Sequence, residues 1–212
     1  MNQNLTDINI VLDRSGSMTV IKNDMEGGLN AFLEEQKKVE GEATVSLYQF
    51  DHEFEESFIA KDIKEVSKIV LEPRGTTALL DAMGRSILTT GRRLAAMKEE
   101  DRPSKVIMII ITDGGENASD EFTREKVFEL IKQQEETYSW EFVFLGANQD
   151  AVGEAAKYGI AASKAMTFDY NKSGVDAVAA SLSSSMTSYR AGGCSAMAFS
   201  DEQKAAANKD GA

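Results

Sequence analysis

The chain of 212 residues is poor in the side chains on which many catalytic and structural sites depend, with one cysteine, one histidine and two prolines. Because Cys194 has no second cysteine to pair with, an internal disulfide is excluded, which is typical of a reducing compartment. His52 is isolated in a predicted turn, so a Ser-His-Asp triad is not expected. No stretch rich in proline and serine marks a linker between domains.

Long apolar runs and an excess of positive charge are also absent. No run approaches about 18 apolar residues, and residues 1–7 lack a basic segment followed by an apolar one, so we expect no membrane span and no signal peptide. The 23 lysines and arginines against 35 aspartates and glutamates give a net charge of −12, which argues against nucleic-acid binding. These features predict a cytoplasmic protein.

Hydrophobic residues make up 42% of the chain, enough for the core of one sizeable domain. Apolar segments with the spacing of strands alternate with segments that have the spacing of helices. Strands are predicted at 8–12, 44–50, 53–60, 106–111, 140–145 and 165–168, and helices at 20–39, 79–94, 122–138, 151–158 and 175–189. Alternation of this kind predicts an α/β fold: a three-layer α/β/α, doubly wound sheet, mostly parallel, with one antiparallel edge strand.

We expect the domain to span residues 1–190 and to be followed by a tail over 191–212. Two glycines at 192 and 193 mark the change in composition. Ser200 and Gln203 have the spacing of a capping box, so the tail is predicted to be either flexible or a short helix.

The most informative segment is Asp13-Arg14-Ser15-Gly16-Ser17, which follows the apolar strand 8–12. It places a carboxylate and two hydroxyls at the carboxyl end of a buried strand, where open α/β sheets bind their ligands. Oxygen ligands of this kind suit Mg²⁺, Mn²⁺ or Ca²⁺ and do not suit zinc or copper.

Two further segments are predicted to lie at the same edge of the sheet. Residues 74–78 precede the helix at 79–94, and residues 112–117 follow the apolar strand 106–111. We refer to residues 13–17, 74–78 and 112–117 as the first, second and third loops. Because the first and third loops follow strands that should be neighbours at the point where the strand order reverses, we expect a crevice between them.

These residues resemble a known family. Asp-x-Ser-x-Ser at 13–17, Gly-Thr at 75–76 and Thr-Asp-Gly at 112–114 are similar to the metal-ion-dependent adhesion site (MIDAS) of von Willebrand factor type A domains. The resemblance extends from about residue 5 to residue 189. It implies a six-stranded sheet, mostly parallel, between two layers of helices, with a Mg²⁺ or Mn²⁺ site at its top; Ca²⁺ is a further candidate.

The resemblance also implies a role for each residue of the site. Ser15 and Ser17 would coordinate the metal through their hydroxyls, and Thr76 would do so directly or through water. Thr77 is an alternative to Thr76, although the Gly-Thr register favours Thr76. Asp13 and Asp113 would act mostly through water and hydrogen bonds.

A metal held mainly by neutral hydroxyls stays electrophilic and would accept a further anionic oxygen. The resemblance therefore implies a non-catalytic protein-binding module whose partner presents a glutamate or aspartate. The chain looks most like the small, stand-alone cytoplasmic members found in bacteria and their phages, some of which work in larger complexes.

Two other functions remain open. A Mg²⁺-dependent phosphoryl-transfer enzyme could use Asp13 as its nucleophile. Many such hydrolases carry a second acid two positions later, where this chain has Ser15, and no lysine lies in the three loops. The alternative is a scaffold protein that binds without a metal.

Neighbouring polar side chains are expected to be less important for function. Arg14 is predicted to be a solvent-facing residue on the rim of the site. Glu116 and Asn117 are expected to lie in a solvated loop.

Overall fold

A six-stranded sheet forms the middle of the protein in the computed structural model, which describes residues 1–209. Its strands are β1 Asn2–Asp13, β2 Glu42–Phe50, β3 Phe54–Asp62, β4 Pro103–Thr112, β5 Glu141–Ala147 and β6 Ala165–Phe168. The spatial order is β3-β2-β1-β4-β5-β6. Only the β2–β3 pair is antiparallel. The predicted doubly wound sheet with an antiparallel edge strand is confirmed.

Helices cover both faces of the sheet. They are α1 Lys22–Gln36, α2 Leu79–Ala96, α3 Arg124–Tyr138, α4 Ala151–Lys157, α5 Lys172–Arg190 and α6 Asp201–Ala207. One apolar core lies between the sheet and α1, α5 and α6, and a second lies between the sheet and α2, α3 and α4. No helix within the described residues is both long and apolar enough to span a bilayer.

The central position of β4 follows from its composition. Ile107, Ile109 and Ile111 point into the first core, while Val106, Met108 and Ile110 point into the second. A strand with apolar side chains on both faces is stable only where both faces are covered, which places it inside a parallel sheet. Since β1 lies beside it, Asp13 at the end of β1 and Asp113 directly after β4 emerge together at the carboxyl edge.

Strand β1 begins earlier than its apolar run predicts. The prediction started at Ile8, whereas the strand starts at Asn2 and pairs there with the beginning of β4. Its first residues are mostly polar and exposed or half-buried, and they join the sheet through backbone hydrogen bonds such as Asn2 N–H to the Arg102 carbonyl, 2.7 Å. Hydrophobic periodicity does not detect an extension of this kind, because it buries little apolar surface.

The segment after α5 packs against the domain. Met197, Phe199 and Ala207 are buried in the core shared with α1 and α5. Helix α6 begins at a complete capping box between Ser200 and Gln203. The short helix is thus the observed form of residues 201–207, while the part of the predicted tail at 210–212 lies outside the described residues.

Candidate metal centre

The three loops meet at the carboxyl edge of the sheet and are joined through their backbones. Gly16 N–H donates to the Gly75 carbonyl at 3.2 Å, and Arg74 N–H donates to the Arg14 carbonyl at 2.8 Å. Asn117 N–H donates to the Thr77 carbonyl at 3.0 Å. The first and third loops are therefore each bonded to the second, which fixes the relative positions of the candidate residues.

Asp13 lies at the base of this arrangement and is completely buried. Its Oδ1 accepts a hydrogen bond from Ser15 N–H, and its Oδ2 accepts one from Thr112 Oγ1, both at 2.6 Å. Burial raises the pKa of Asp13 to about 6, although the hydrogen bonds from Thr112 and Ser15 oppose that shift. The carboxylate is thus held in place in an environment that disfavours its charge.

The two serines of the first loop are connected to the aspartate of the third. Ser15 Oγ and Ser17 Oγ lie 3.1 Å apart, and Ser17 Oγ donates to Asp113 Oδ1 at 2.8 Å. The negative charge of Asp113 also contributes to the raised pKa of Asp13. The structure therefore brings together four of the five residues named from the sequence: two hydroxyls and two carboxylates.

The fifth residue named from the sequence, Thr76, is exposed, whereas its neighbour Thr77 is buried. A Cβ atom added to Gly114 would lie 3.6 Å from Thr77 Oγ1 and 4.0 Å from Ser17 Oγ, so both hydroxyls face the same space. Asn117 Oδ1 accepts a hydrogen bond from Thr77 N–H at 2.9 Å and holds Thr77 there. This geometry favours Thr77, the alternative ligand, over Thr76.

The donor set fits a hard divalent cation. Within residues 1–209, no lysine, arginine or histidine forms an ion pair with Asp13 or Asp113. The same residues contain no group of three or more His, Cys, Asp and Glu side chains placed to hold a metal. Two uncompensated carboxylates beside three hydroxyls are suited to an ion that prefers oxygen and retains water.

Solved structures with a similar fold include proximal thread matrix protein 1 from the mussel byssus, which is 16% identical, with a TM-score of 0.60 over 87% of this chain and 46% of that protein. Another structure of the same protein has a zinc-occupied MIDAS motif and a TM-score of 0.59. The von Willebrand factor type A protein from Catenulispora acidiphila is 13% identical, with a TM-score of 0.57 over 88% of this chain and 43% of that protein.

The ArnB paralog VWA2 from Sulfolobus acidocaldarius is 16% identical, with a TM-score of 0.53 over 86% of this chain and 45% of that protein. This chain has a von Willebrand factor type A fold. It spans less than half the length of each of these proteins. No protein-family model matches it, and no curated protein sequence does either.

One residue at the carboxyl edge of this von Willebrand factor type A fold, beside the candidate metal site, was not predicted. The Tyr170 hydroxyl donates to Asp113 Oδ2 at 2.6 Å and also contacts the backbone carbonyl of Ser17. Burial, reinforced by the Asp113 carboxylate, raises the pKa of Tyr170, so its hydroxyl remains a donor at neutral pH. Its position two residues after β6 is a sequence signal that could have identified it, because strand ends meet at this edge.

Arg14 was predicted to face solvent on the rim of the site, but the structure shows that it is buried. Its Nε donates to Asp51 Oδ2 at 2.9 Å, and its Nη1 donates to Glu55 at 2.6 Å. Arg74 Nε reaches the same Asp51 oxygen at 2.8 Å. Asp51, in the turn between β2 and β3, therefore binds one arginine from the first loop and one from the second.

The charge of Asp51 is stabilised by its partners. Burial opposes ionisation, but hydrogen bonds from Arg74, from the backbone N–H of Glu53 and from Arg14 hold the pKa of Asp51 below its ordinary value. The Asp51 carbonyl also accepts a hydrogen bond from Ala78 N–H at 2.8 Å. This turn supports the first two loops from outside the candidate metal site.

Glu116 and Asn117 were predicted to lie in a solvated loop, but both make specific hydrogen bonds to neighbouring segments. Glu116 Oε2 accepts hydrogen bonds from Leu80 N–H at 2.8 Å and from Ser119 Oγ at 2.7 Å. Leu80 lies in the first turn of α2, so Glu116 joins the third loop to the exposed N–H groups of that helix. Asn117, as described, holds Thr77.

Proposed function

We propose that this protein is a non-catalytic, divalent-metal-dependent protein-binding module. The observation that carries the proposal is the pair of carboxylates, Asp13 and Asp113, which share one edge of the sheet with three hydroxyls and have no cationic partner among residues 1–209. A bound cation would compensate this charge, which the interior otherwise disfavours.

In this proposal the hydroxyls of Ser15, Ser17 and Thr77 hold the metal, and the two aspartates orient them. Asp113 accepts the hydrogen bond from Ser17 Oγ and thereby leaves that oxygen's lone pairs available for the cation. When bound, Mg²⁺ or Mn²⁺ would supply a positively charged centre that attracts a carboxylate oxygen. The partner residue is therefore a glutamate or an aspartate.

The surface around the site suits contact with another protein. Gly16, Ser17 and Thr76 are exposed at the rim. Val20, a few residues later, is 72% exposed and offers an apolar contact beside the charged centre. Protein interfaces combine apolar contacts with direct polar ones, and the exposed valine beside the site is compatible with such a surface.

Nothing in the geometry favours the phosphoryl-transfer alternative. A nucleophilic aspartate needs an accessible oxygen, but the Asp13 side chain is completely buried and both of its oxygens accept short hydrogen bonds. Mg²⁺-dependent hydrolysis of a phosphate ester that is lost in Asp13→Asn would reverse this assignment.

The metal-binding part of the proposal is tested by calorimetric titration with Mg²⁺, Mn²⁺ and Zn²⁺. We expect the wild-type protein to bind Mg²⁺ or Mn²⁺, Asp113→Ala to abolish binding, and Thr77→Ala to weaken it at least about tenfold. Thr76→Ala is the matched control and should bind like the wild type. Equal losses in the two threonine variants would refute the choice of Thr77, and a wild type that binds no metal would refute the proposal.

The carboxylate-binding part is tested with glutamate and glutamine as matched probes, each used as its N-acetyl amide so that the α-carboxylate is blocked. In the presence of Mg²⁺, glutamate should shift the backbone amide resonances of Ser17 and Thr77, because only its side chain carries a charge. Glutamine should have little effect, and EDTA should remove the response to glutamate. A response that persists in EDTA would favour a scaffold that binds without a metal.

A further inference from the structure

We infer that Tyr170 is a positioning residue of the metal site, which orients Asp113 and joins the first loop to the third. The inference rests on the proposed metal-binding function. It concerns a side chain 57 residues from Asp113 and 153 from Ser17 in the sequence, outside all three loops.

The first step is that both oxygens of Asp113 are held. Oδ1 accepts the hydrogen bond from Ser17 Oγ at 2.8 Å, and Oδ2 accepts the one from the Tyr170 hydroxyl at 2.6 Å. A carboxylate bound through one oxygen can still rotate, whereas one bound through both has a defined plane. Tyr170 therefore keeps Oδ1 directed towards Ser17, whose hydroxyl is a proposed metal ligand.

The second step is that the same hydroxyl reaches the first loop directly, at the backbone carbonyl of Ser17. Because a phenol has one proton to donate, the hydroxyl bonds either to Asp113 or to the Ser17 carbonyl, and in both cases its oxygen lies between the first loop and the third. Since Ser17 is exposed, this contact adds to the restraint that Asp113 places on its side chain.

The third step is that Tyr170 is itself supported. Its ring packs against the core shared with α1 and α5. The preceding residue, Asp169, donates its N–H to the Ala207 carbonyl and accepts a hydrogen bond from Lys209 N–H, both at 2.8 Å. The following residue, Asn171, caps α5 by accepting from Gly174 N–H at 3.0 Å.

A backbone held on both sides of Tyr170 gives its hydroxyl a defined position. Groups that orient metal ligands in this way commonly change metal affinity by about 10- to 100-fold when removed. Tyr170→Phe deletes the hydroxyl and retains the packed ring. We expect it to weaken Mg²⁺ binding by about tenfold, at the lower end of that range, because the hydrogen bond from Ser17 to Asp113 remains.

The experiment compares wild type, Tyr170→Phe and Tyr138→Phe by calorimetric titration with Mg²⁺. Tyr138 is the matched control, since it is 59% exposed at the end of α3 and should bind metal like the wild type. Thermal unfolding is measured in EDTA and in Mg²⁺. The increase in melting temperature caused by Mg²⁺ should be smaller in Tyr170→Phe than in the other two proteins.

A purely structural role makes a different prediction. It would lower the melting temperature of Tyr170→Phe in EDTA but leave its Mg²⁺ dissociation constant unchanged, and that result, or tighter binding, overturns the inference while the proposed function stands. Absence of Mg²⁺ and Mn²⁺ binding in the wild type overturns both.

A second measurement does not depend on the folding of the variant. Metal binding should perturb the ultraviolet absorption of Tyr170, because its hydroxyl is bonded to Asp113. We expect a tyrosine difference spectrum when Mg²⁺ is added to the wild-type protein and to Tyr138→Phe. If the protein binds metal without a change in tyrosine absorption, a direct link between the metal and Tyr170 is contradicted.

Discussion

At the scale of single residues, Asp13 combines a complete absence of solvent exposure with two short hydrogen bonds and no neighbouring cation among the described residues. The two hydrogen bonds do not compensate for desolvation, and its pKa remains raised at about 6. A negative charge at this position therefore destabilises the metal-free fold. The proposed metal site needs Asp13 in its ionised form, which the metal-free fold disfavours.

This leads to a prediction for Asp13→Asn in EDTA. The pKa of Asp13 rises from 3.8 to about 6 on folding. The contribution of its carboxyl group to the stability of the fold is therefore fully present below about pH 4 and is lost as the pH rises through 6. Removing the charge should therefore raise the free energy of unfolding at pH 8, by up to about 3 kcal/mol, and by less at pH 5. Denaturant unfolding at the two pH values measures the difference.

Asp101→Asn is the control, because Asp101 is exposed and its substitution should change stability little at either pH. Adding Mg²⁺ should reverse the order at pH 8, since the wild type alone would gain the binding energy. An Asp13→Asn variant that is no more stable than the wild type in EDTA at pH 8 would contradict this account of the site.

At the scale of elements, the turn between β2 and β3 helps to determine where the first and second loops lie. Asp51 in this turn binds Arg14 and Arg74, which precede the hydroxyls of the first and second loops. The turn has no atom among the proposed ligands, yet both loops are attached to it. A polar turn with no proposed metal ligand thus supports the site.

We expect Asp51→Asn to lower stability by about 2 kcal/mol. Breaking a buried ion pair costs about 3–5 kcal/mol, but the Arg74 side chain is 52% exposed and solvent can replace part of the interaction. Mg²⁺ affinity should fall as well, because both loops gain freedom. Chemical denaturation and calorimetric titration measure the two effects.

Glu53→Gln is the matched control for this prediction. Glu53 is 60% exposed and its side chain pairs only with Arg74 among residues 1–209, so both stability and metal affinity should stay close to the wild type. If Asp51→Asn and Glu53→Gln behave alike, the Asp51 carboxylate does not position the loops.

The elements also show what could be predicted from the sequence and why. The apolar runs of β1 and β4 and the aspartates that follow them identify the fold and one edge of the sheet, because these signals are local. Arg14, Asp51 and Tyr170 could not be assigned in the same way. Their partners are 23 to 153 residues distant, and nothing in the neighbouring sequence distinguishes Arg14 or Asp51 from a surface residue.

At the scale of the whole molecule, the segment after α5 is part of the core. Phe199 is 5% exposed and lies in the cluster that includes α1 and α5. The predicted boundary at residue 190 rested on the two glycines, which mark a turn at this point. The apolar residues after the glycines are irregularly spaced. Because they have neither the period of a helix nor that of a strand, the sequence does not indicate that they are buried.

We expect Phe199→Ala to lower the free energy of unfolding by about 3–5 kcal/mol, because it removes a buried aromatic side chain and leaves a cavity. Phe128→Ala removes the same atoms from a residue that is 40% exposed, and its effect should be less than half as large. Urea denaturation of the two variants measures this ratio. If Phe199→Ala lowers the free energy of unfolding no more than Phe128→Ala does, the burial of Phe199 and its segment contributes little to stability.

The hydrogen bonds between Asp169 and the end of α6 have a practical consequence for the orientation of the molecule. Because Lys209 N–H bonds to Asp169 at the carboxyl end of β6, a tag or fused protein attached after this residue would crowd the surface offered to a partner. Residue 2 begins β1 at the opposite end of the sheet, about 40 Å away for a strand of 12 residues. Immobilisation at the start of β1 would leave the proposed metal site directed towards solution.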